Sequence, residues 1–203
     1  MEHIAHTEHR DDFGAKMGMW IFIFTELLLF AGLFLVYAVY RAKFSEDFHI
    51  ASYQLNVVLG AFNTLILLVS SMTIAMSITA VQKSNKKLAL QLLAITLLLA
   101  ILFLVNKYFE WGGKISHQLY PGSDVVTTLQ HGQALYFGLY YLMTGLHALH
   151  IVVGIVLIAI ITFQVKMGTI NSSDMVLLEN GGLYWHLVDL IWIFLFPLLY
   201  LIA

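Results

Sequence analysis

The residues with chemistry to offer are Glu26, His147, His150, His186 and Asp189, and all of them lie inside long apolar runs. An ionisable side chain at bilayer depth costs about 3 kcal/mol or more, so it ordinarily faces protein, water or a partner subunit and marks function. Two chemistries are open to such a set: holding or passing a proton between carboxyl and imidazole groups, and ligating a metal through imidazole nitrogen. His147 and His150 are three residues apart on one helix and sit side by side, so they could share a metal; the alternative is that each donates a hydrogen bond across a helix seam. A haem held between two histidines needs them on facing helices, and His147 with His186 is the pair that offers this. His186 and Asp189 have the spacing of an imidazole–carboxylate pair. Asp189 requires a partner, and the candidates are His186, His147, His150 and Lys107.

Five apolar segments must position these groups, at about 17–40, 53–81, 88–109, 133–166 and 181–202. A spanning helix needs about 20 mainly apolar residues, and each segment meets that length. No alternating ten-residue pattern recurs, which argues against a barrel. The expectation is an all-α, polytopic membrane bundle of five transmembrane helices forming a single domain over 1–203, without an appended soluble domain. Glu26 lies about 13 Å into the first span at 1.5 Å per residue. It is read either as a protonated acid bonded within the bundle or as a group facing a lipid cleft or a proton-conducting subunit. On the fourth span Tyr140, Thr144, His147 and Gly154 share a face, while Gly145, Ala148 and Gly154 are small enough to admit a neighbouring helix. On the fifth, Trp185, Asp189, Trp192 and Phe196 share a face, and Tyr184 and Trp185 could instead be interface anchors.

The composition agrees with this. The 203 residues are 60% hydrophobic and 11% charged, with mean hydropathy +0.84, against about 25% charged for a soluble domain. A net charge of −2 gives no footprint for nucleic acid or for a polybasic lipid anchor. The absence of cysteine excludes disulfides, thiolate metal sites, iron–sulfur clusters and c-type haem attachment. Hydrolase triads, phosphate loops and the Glu-x-x-His di-iron pattern are not found. The N-terminal residues are unlike the basic start of a cleaved signal peptide, so the first span is expected to act as its own insertion signal.

Lys and Arg in the short connections set an orientation. Arg10, Lys16, Lys83, Lys86, Lys87 and Lys166 lie on the N-terminal side, and Arg41, Lys43 and Lys114 on the other. The excess places the N-terminus in the cytoplasm and the C-terminus outside. Lys107 and Glu110, three apart at the end of the third span, are expected to pair at the membrane interface with the lysine snorkelling, or to meet a neighbouring subunit. Pro121-Gly122 marks a turn in a structured external connection, and 82–87 reads as a short polar hairpin. His117 and His131 read as solvated loop residues. His3, His6 and His9 have loose metal-like spacing but are assigned to a mobile tail.

Three blocks carry a resemblance to a known family. They are Trp20 with Phe24-Thr25-Glu26-Leu27 and Phe30-Ala31-Gly32-Leu33-Phe34; Asn106-Lys107-Tyr108-Phe109-Glu110-Trp111; and Tyr136-Phe137 with Thr144-Gly145-Leu146-His147-Ala148-Leu149-His150 and Tyr184-Trp185-His186-Leu187-Val188-Asp189-Leu190-Ile191-Trp192. In that order, on successive spans, they resemble subunit III of the haem–copper respiratory oxidases, both cytochrome c oxidases and quinol oxidases. The resemblance implies a non-catalytic subunit that stabilises the oxygen-reducing, proton-pumping subunit I, supports its proton uptake and binds phospholipid. Haem and copper would lie in the partner subunits and none in this chain. Subunit II and a small subunit IV would be further partners, with a respiratory supercomplex possible in some oxidases. Glu26 would be the family's buried membrane glutamate beside bound lipid. Lys107, Glu110, Thr144, His147, His150, His186 and Asp189 would form one buried polar network, with Gly145, Ala148, Gly154, Trp185 and Trp192 as packing residues.

Many members of that family have seven spans, and this chain aligns from the third, a form that suggests a bacterial plasma membrane protein. Alternatives are an accessory subunit of the nitric-oxide-reductase type, or a stand-alone membrane protein holding haem or metal on His147, His150 and His186. A small proton-coupled carrier using Glu26 and Asp189 is a further one.

Overall fold

The computed structural model describes residues 12–201, so His3, His6, His9 and Arg10 lie outside the described residues. Seven helices occur among them: α1 (Asp12–Lys43), α2 (Ser45–Ser52), α3 (Val57–Gln82), α4 (Lys86–Ser116), α5 (Asp124–Thr128), α6 (His131–Met167) and α7 (Val176–Tyr200). Five of these, α1, α3, α4, α6 and α7, are long and apolar enough to cross a membrane. The architecture is all-helical, as expected. The short α2 and α5 had no signature in the apolar pattern; both lie at the end of the bundle that also holds the α4 C-terminus and the α6 N-terminus.

Local chemistry sets the helix ends. Asn56 and Asn85 cap α3 and α4, each accepting a backbone N–H three residues on, from Leu59 and Leu88, at 3.1 Å. Turns at Gln54 and Leu55, which bond back to Ala51 and Ser52, delay the start of α3 to Val57 rather than Tyr53. Helix α4 runs on past Phe109 to Ser116. Gly168, at φ +87°, ends α6 in the left-handed conformation that glycine adopts without steric cost.

Helix α7 is the hub, packing on α1, α3 and α6, while α4 closes the other side against α3 and α6. Helix α1 is peripheral and buries only Ile23, Phe30 and Tyr37, a seven-residue spacing that makes a single narrow seam. Helix association in lipid relies on packing and interhelical hydrogen bonds, and both are present here. Trp185 and Trp192 donate their indole N–H groups to Ser70 and Thr64 of α3, each at 3.0 Å. Thr73 and Thr96 join α3 to α4 at 2.8 Å, and Asn106 donates to Asn63 at 2.9 Å. Trp185 is fully buried rather than an interface anchor. A Cβ on Gly154 would stand 2.7 Å from the Trp185 ring, so glycine there is a condition of the α6–α7 contact. Gly145 differs from expectation: its nearest neighbour would be the Trp111 ring at 3.9 Å, an ordinary contact. Ala148 is only half-buried on the same helix.

Candidate functional site

The polar residues expected to form one network are divided among separate places in the bundle. The largest cluster joins α4, α6 and α7. Lys107 donates to Glu110 Oε2 at 3.1 Å and to the Tyr200 hydroxyl at 2.9 Å. Tyr140 and Tyr200 both donate to Glu110 Oε1, Tyr140 at 2.6 Å. The ammonium stands 5.2 Å from the Trp192 ring centroid and 5.3 Å from that of Tyr140. Each tyrosine thus donates a hydrogen bond to the carboxylate while its oxygen accepts from the lysine. Lys107 is 2% exposed, so it does not snorkel as expected. The physical reason is the continuation of α4 beyond Phe109, which places Lys107 inside the bundle rather than at its rim. Buried charges survive only when paired and hydrogen-bonded, and both conditions hold here. Lys114, two turns further along α4, donates to the Gln54 carbonyl at 3.2 Å and fastens the α2–α3 connection.

The second pair joins α1 to α6. His150 Nε2 meets Glu26 Oε2 at 3.0 Å, and His150 Nδ1 lies 2.7 Å from the Leu146 carbonyl. A carbonyl only accepts, so Nδ1 carries a hydrogen. One further proton is then shared along Nε2···Oε2, as imidazolium with carboxylate or as imidazole with carboxylic acid. Tyr184 donates to the His150 carbonyl at 2.9 Å, and Phe30 packs edge-on to the imidazole at 5.4 Å. The side chains are 12% exposed for His150 and 17% for Glu26, so the pair touches the outer face of the bundle at mid-span.

His186 is bonded through Nδ1 to Ser71 Oγ of α3 at 2.6 Å, not to Asp189. Ser71 is also near the Asp189 carboxyl, but its hydrogen bond goes to His186, and neither Asp189 oxygen has a partner in bonding geometry. His147 is likewise buried with both ring nitrogens unbonded, packed against Trp192 at 5.1 Å and Phe103 at 5.7 Å. Thr144 bonds back to its own helix at Tyr140 O, 2.6 Å away. Four of the seven network residues, Lys107, Glu110, Glu26's partner His150 and Ser71-bonded His186, therefore anchor helix seams, whereas His147, Asp189 and Thr144 do not join them. His131 begins α6 with its ring edge-on to Phe44 at 5.7 Å. Among the described residues no three His, Asp or Glu groups converge as metal ligands.

Tyr200, Ser71 and Gln54 are hydrogen-bonding partners that sequence spacing does not reveal. Tyr140 shares a buried face of α6 with Thr144 and His147, but spacing alone does not bring it to Glu110. None of these contacts has a local signature, because the bonded positions lie 30 to 115 residues apart.

The strings that carry the polar clusters agree with comparisons to known proteins. A sequence profile of the family described as cytochrome c oxidase subunit III matches residues 2–203. The chain is 30% identical over 208 residues to a Staphylococcus saprophyticus protein named probable quinol oxidase subunit 3, covering 100% of this chain and 98% of that protein. It is 30% identical over 201 residues to cytochrome c oxidase subunit 3 of Thermostichus vulcanus, covering 98% and 92%. A longer relative from Aeropyrum pernix, named heme-copper oxidase subunit I+III, is 30% identical over 193 residues; the match takes in 92% of this chain but 22% of that protein. With the profile matched over nearly its whole length, the chain belongs to the cytochrome c oxidase subunit III family.

Proposed function

We propose that the protein is the non-catalytic subunit III of a haem–copper terminal oxidase in a bacterial plasma membrane, with its N-terminus in the cytoplasm. It stabilises the catalytic subunit, which holds the haem and copper, and supports proton uptake and lipid binding around it. Subunits I and II are its partners. The observation that carries this reading is the family match over residues 2–203 together with the fused I+III relative, in which the two subunits are named as one chain. What the bundle contributes physically is rigidity at bilayer depth: the Lys107–Glu110–Tyr140–Tyr200 cluster ties three spans together, and the Glu26–His150 pair fastens the peripheral α1. The orientation follows from Lys16, Lys83, Lys86, Lys87 and Lys166 at one end of the spans against Arg41, Lys43 and Lys114 at the other.

The test is purification of the tagged chain in mild detergent, with identification of what accompanies it and a reduced-minus-oxidised spectrum. A large oxidase subunit with haem absorbance is expected. A lone chain carrying its own haem or metal would overturn the proposal and make the histidines ligands.

A further inference from the structure

The ends of α3 and α6 and the start of α4 enclose a cavity of about 200 Å³, lined by Val81, Ser84, Lys86, Val165, Gly168, Ile170, Asn171 and Ser172. Its floor is apolar, with Val81, Val165 and Ile170 buried in the bundle. Its mouth is built of donors. The Lys86 ammonium folds toward Gly168, 4.0 Å from where a Cβ there would stand, and it forms no ion pair among the described residues. The Ser84 and Ser172 hydroxyls face each other at 3.4 Å, too long for a strong bond, and so retain capacity for a third group. Lys83 and Lys87 belong to the same hairpin in sequence but do not line the cavity. The loop's carboxylate, Asp174, lines a separate cavity with Gln164 and Asn180. An apolar floor beneath a cationic, hydroxyl-rich mouth, at the level where three spans end, matches a phosphate group carried on acyl chains.

We propose that this rim cavity binds the headgroup phosphate of an anionic phospholipid, with Lys86 as the counter-ion, Ser84 and Ser172 as donors, and Val81, Val165 and Ile170 against the glycerol and first acyl carbons. The assignment deepens the lipid-binding part of the proposed function and rests on that reading for its placement in a membrane. It puts a lipid at the cytoplasmic rim, far from the mid-span Glu26.

The experiment uses the full chain with whatever co-purifies, reconstituted in nanodiscs of phosphatidylcholine containing a fraction of phosphatidylglycerol, with retained lipid read by native mass spectrometry. Lys86→Gln is expected to weaken phosphatidylglycerol retention about fivefold, the scale of one cation at an anionic surface. Lys86→Arg should restore it, and Lys87→Gln, outside the cavity, should leave it near the native level. Equal loss in Lys86→Gln and Lys87→Gln would mean diffuse surface attraction and overturn the site. So would equal retention of phosphatidylcholine, or displacement by free glycerol phosphate at concentrations that leave the bilayer unaffected. The haem absorbance of the same sample reports on the oxidase assignment separately, so loss of haem with lipid retained would refute that reading and not the site.

Discussion

At the scale of single residues, Lys107 with Glu110 and Glu26 with His150 sit where each holds its partner at a fixed distance. Removing one member of a buried ion pair leaves a charge that nothing compensates, which costs about 3–5 kcal/mol. Glu110→Ala should therefore lower the unfolding temperature of the purified subunit sharply. Lys107→Met with Glu110→Leu should cost much less than the two single changes added together, and a thermal melt of all four proteins checks this. Glu26 and His150 touch the outer face and share one proton. Substituting either, as Glu26→Gln or His150→Ala, should leave the haem spectrum of the complex intact and shorten its lifetime in turnover. The double variant should add little to either single one, with a coupling of about 1 kcal/mol for the lost hydrogen bond. His147 and Asp189, buried without partners, lie outside both devices.

At the scale of elements, glycine positions separate packing from mere composition. Gly154→Ala drives a Cβ to 2.7 Å from the Trp185 ring and should destabilise the α6–α7 seam by about 1–3 kcal/mol. Gly145→Ala meets only an ordinary contact at 3.9 Å and should fall within about 0.5 kcal/mol of native. Thermal unfolding of the two variants side by side distinguishes them. Both glycines were legible as small residues on one helix, but their difference was not. A glycine's spacing says that it is small, and only the neighbouring helix decides whether smallness is needed. The same holds for Trp185, whose position near the start of an apolar run fits an interface anchor as well as the buried donor it is.

At the scale of the whole molecule, the orientation is open to a direct measurement, because the native chain has no cysteine. Ser173→Cys in the α6–α7 loop should resist a membrane-impermeant maleimide in intact cells, whereas Tyr120→Cys in the α4–α5 connection should label. The reverse pattern would invert the topology. The peripheral α1 is fastened by one narrow seam, by the Glu26–His150 pair, by the Lys16–Glu179 ion pair at 2.8 Å and by the Tyr37 hydroxyl on the Leu198 carbonyl.

The length and apolarity of the runs were enough to specify five crossing helices, since a bilayer imposes a fixed span and permits little else. The quoted strings likewise sufficed for the family, because ionisable residues inside apolar runs are few and their order is distinctive. Which carboxyl meets which base needed the packed bundle. Glu26 and His150 are 124 positions apart, and Tyr200 and Glu110 are 90. Helical periodicity assigns each residue a face, but the rotation and depth of neighbouring helices determine which faces meet, and those follow from side-chain packing across the whole molecule.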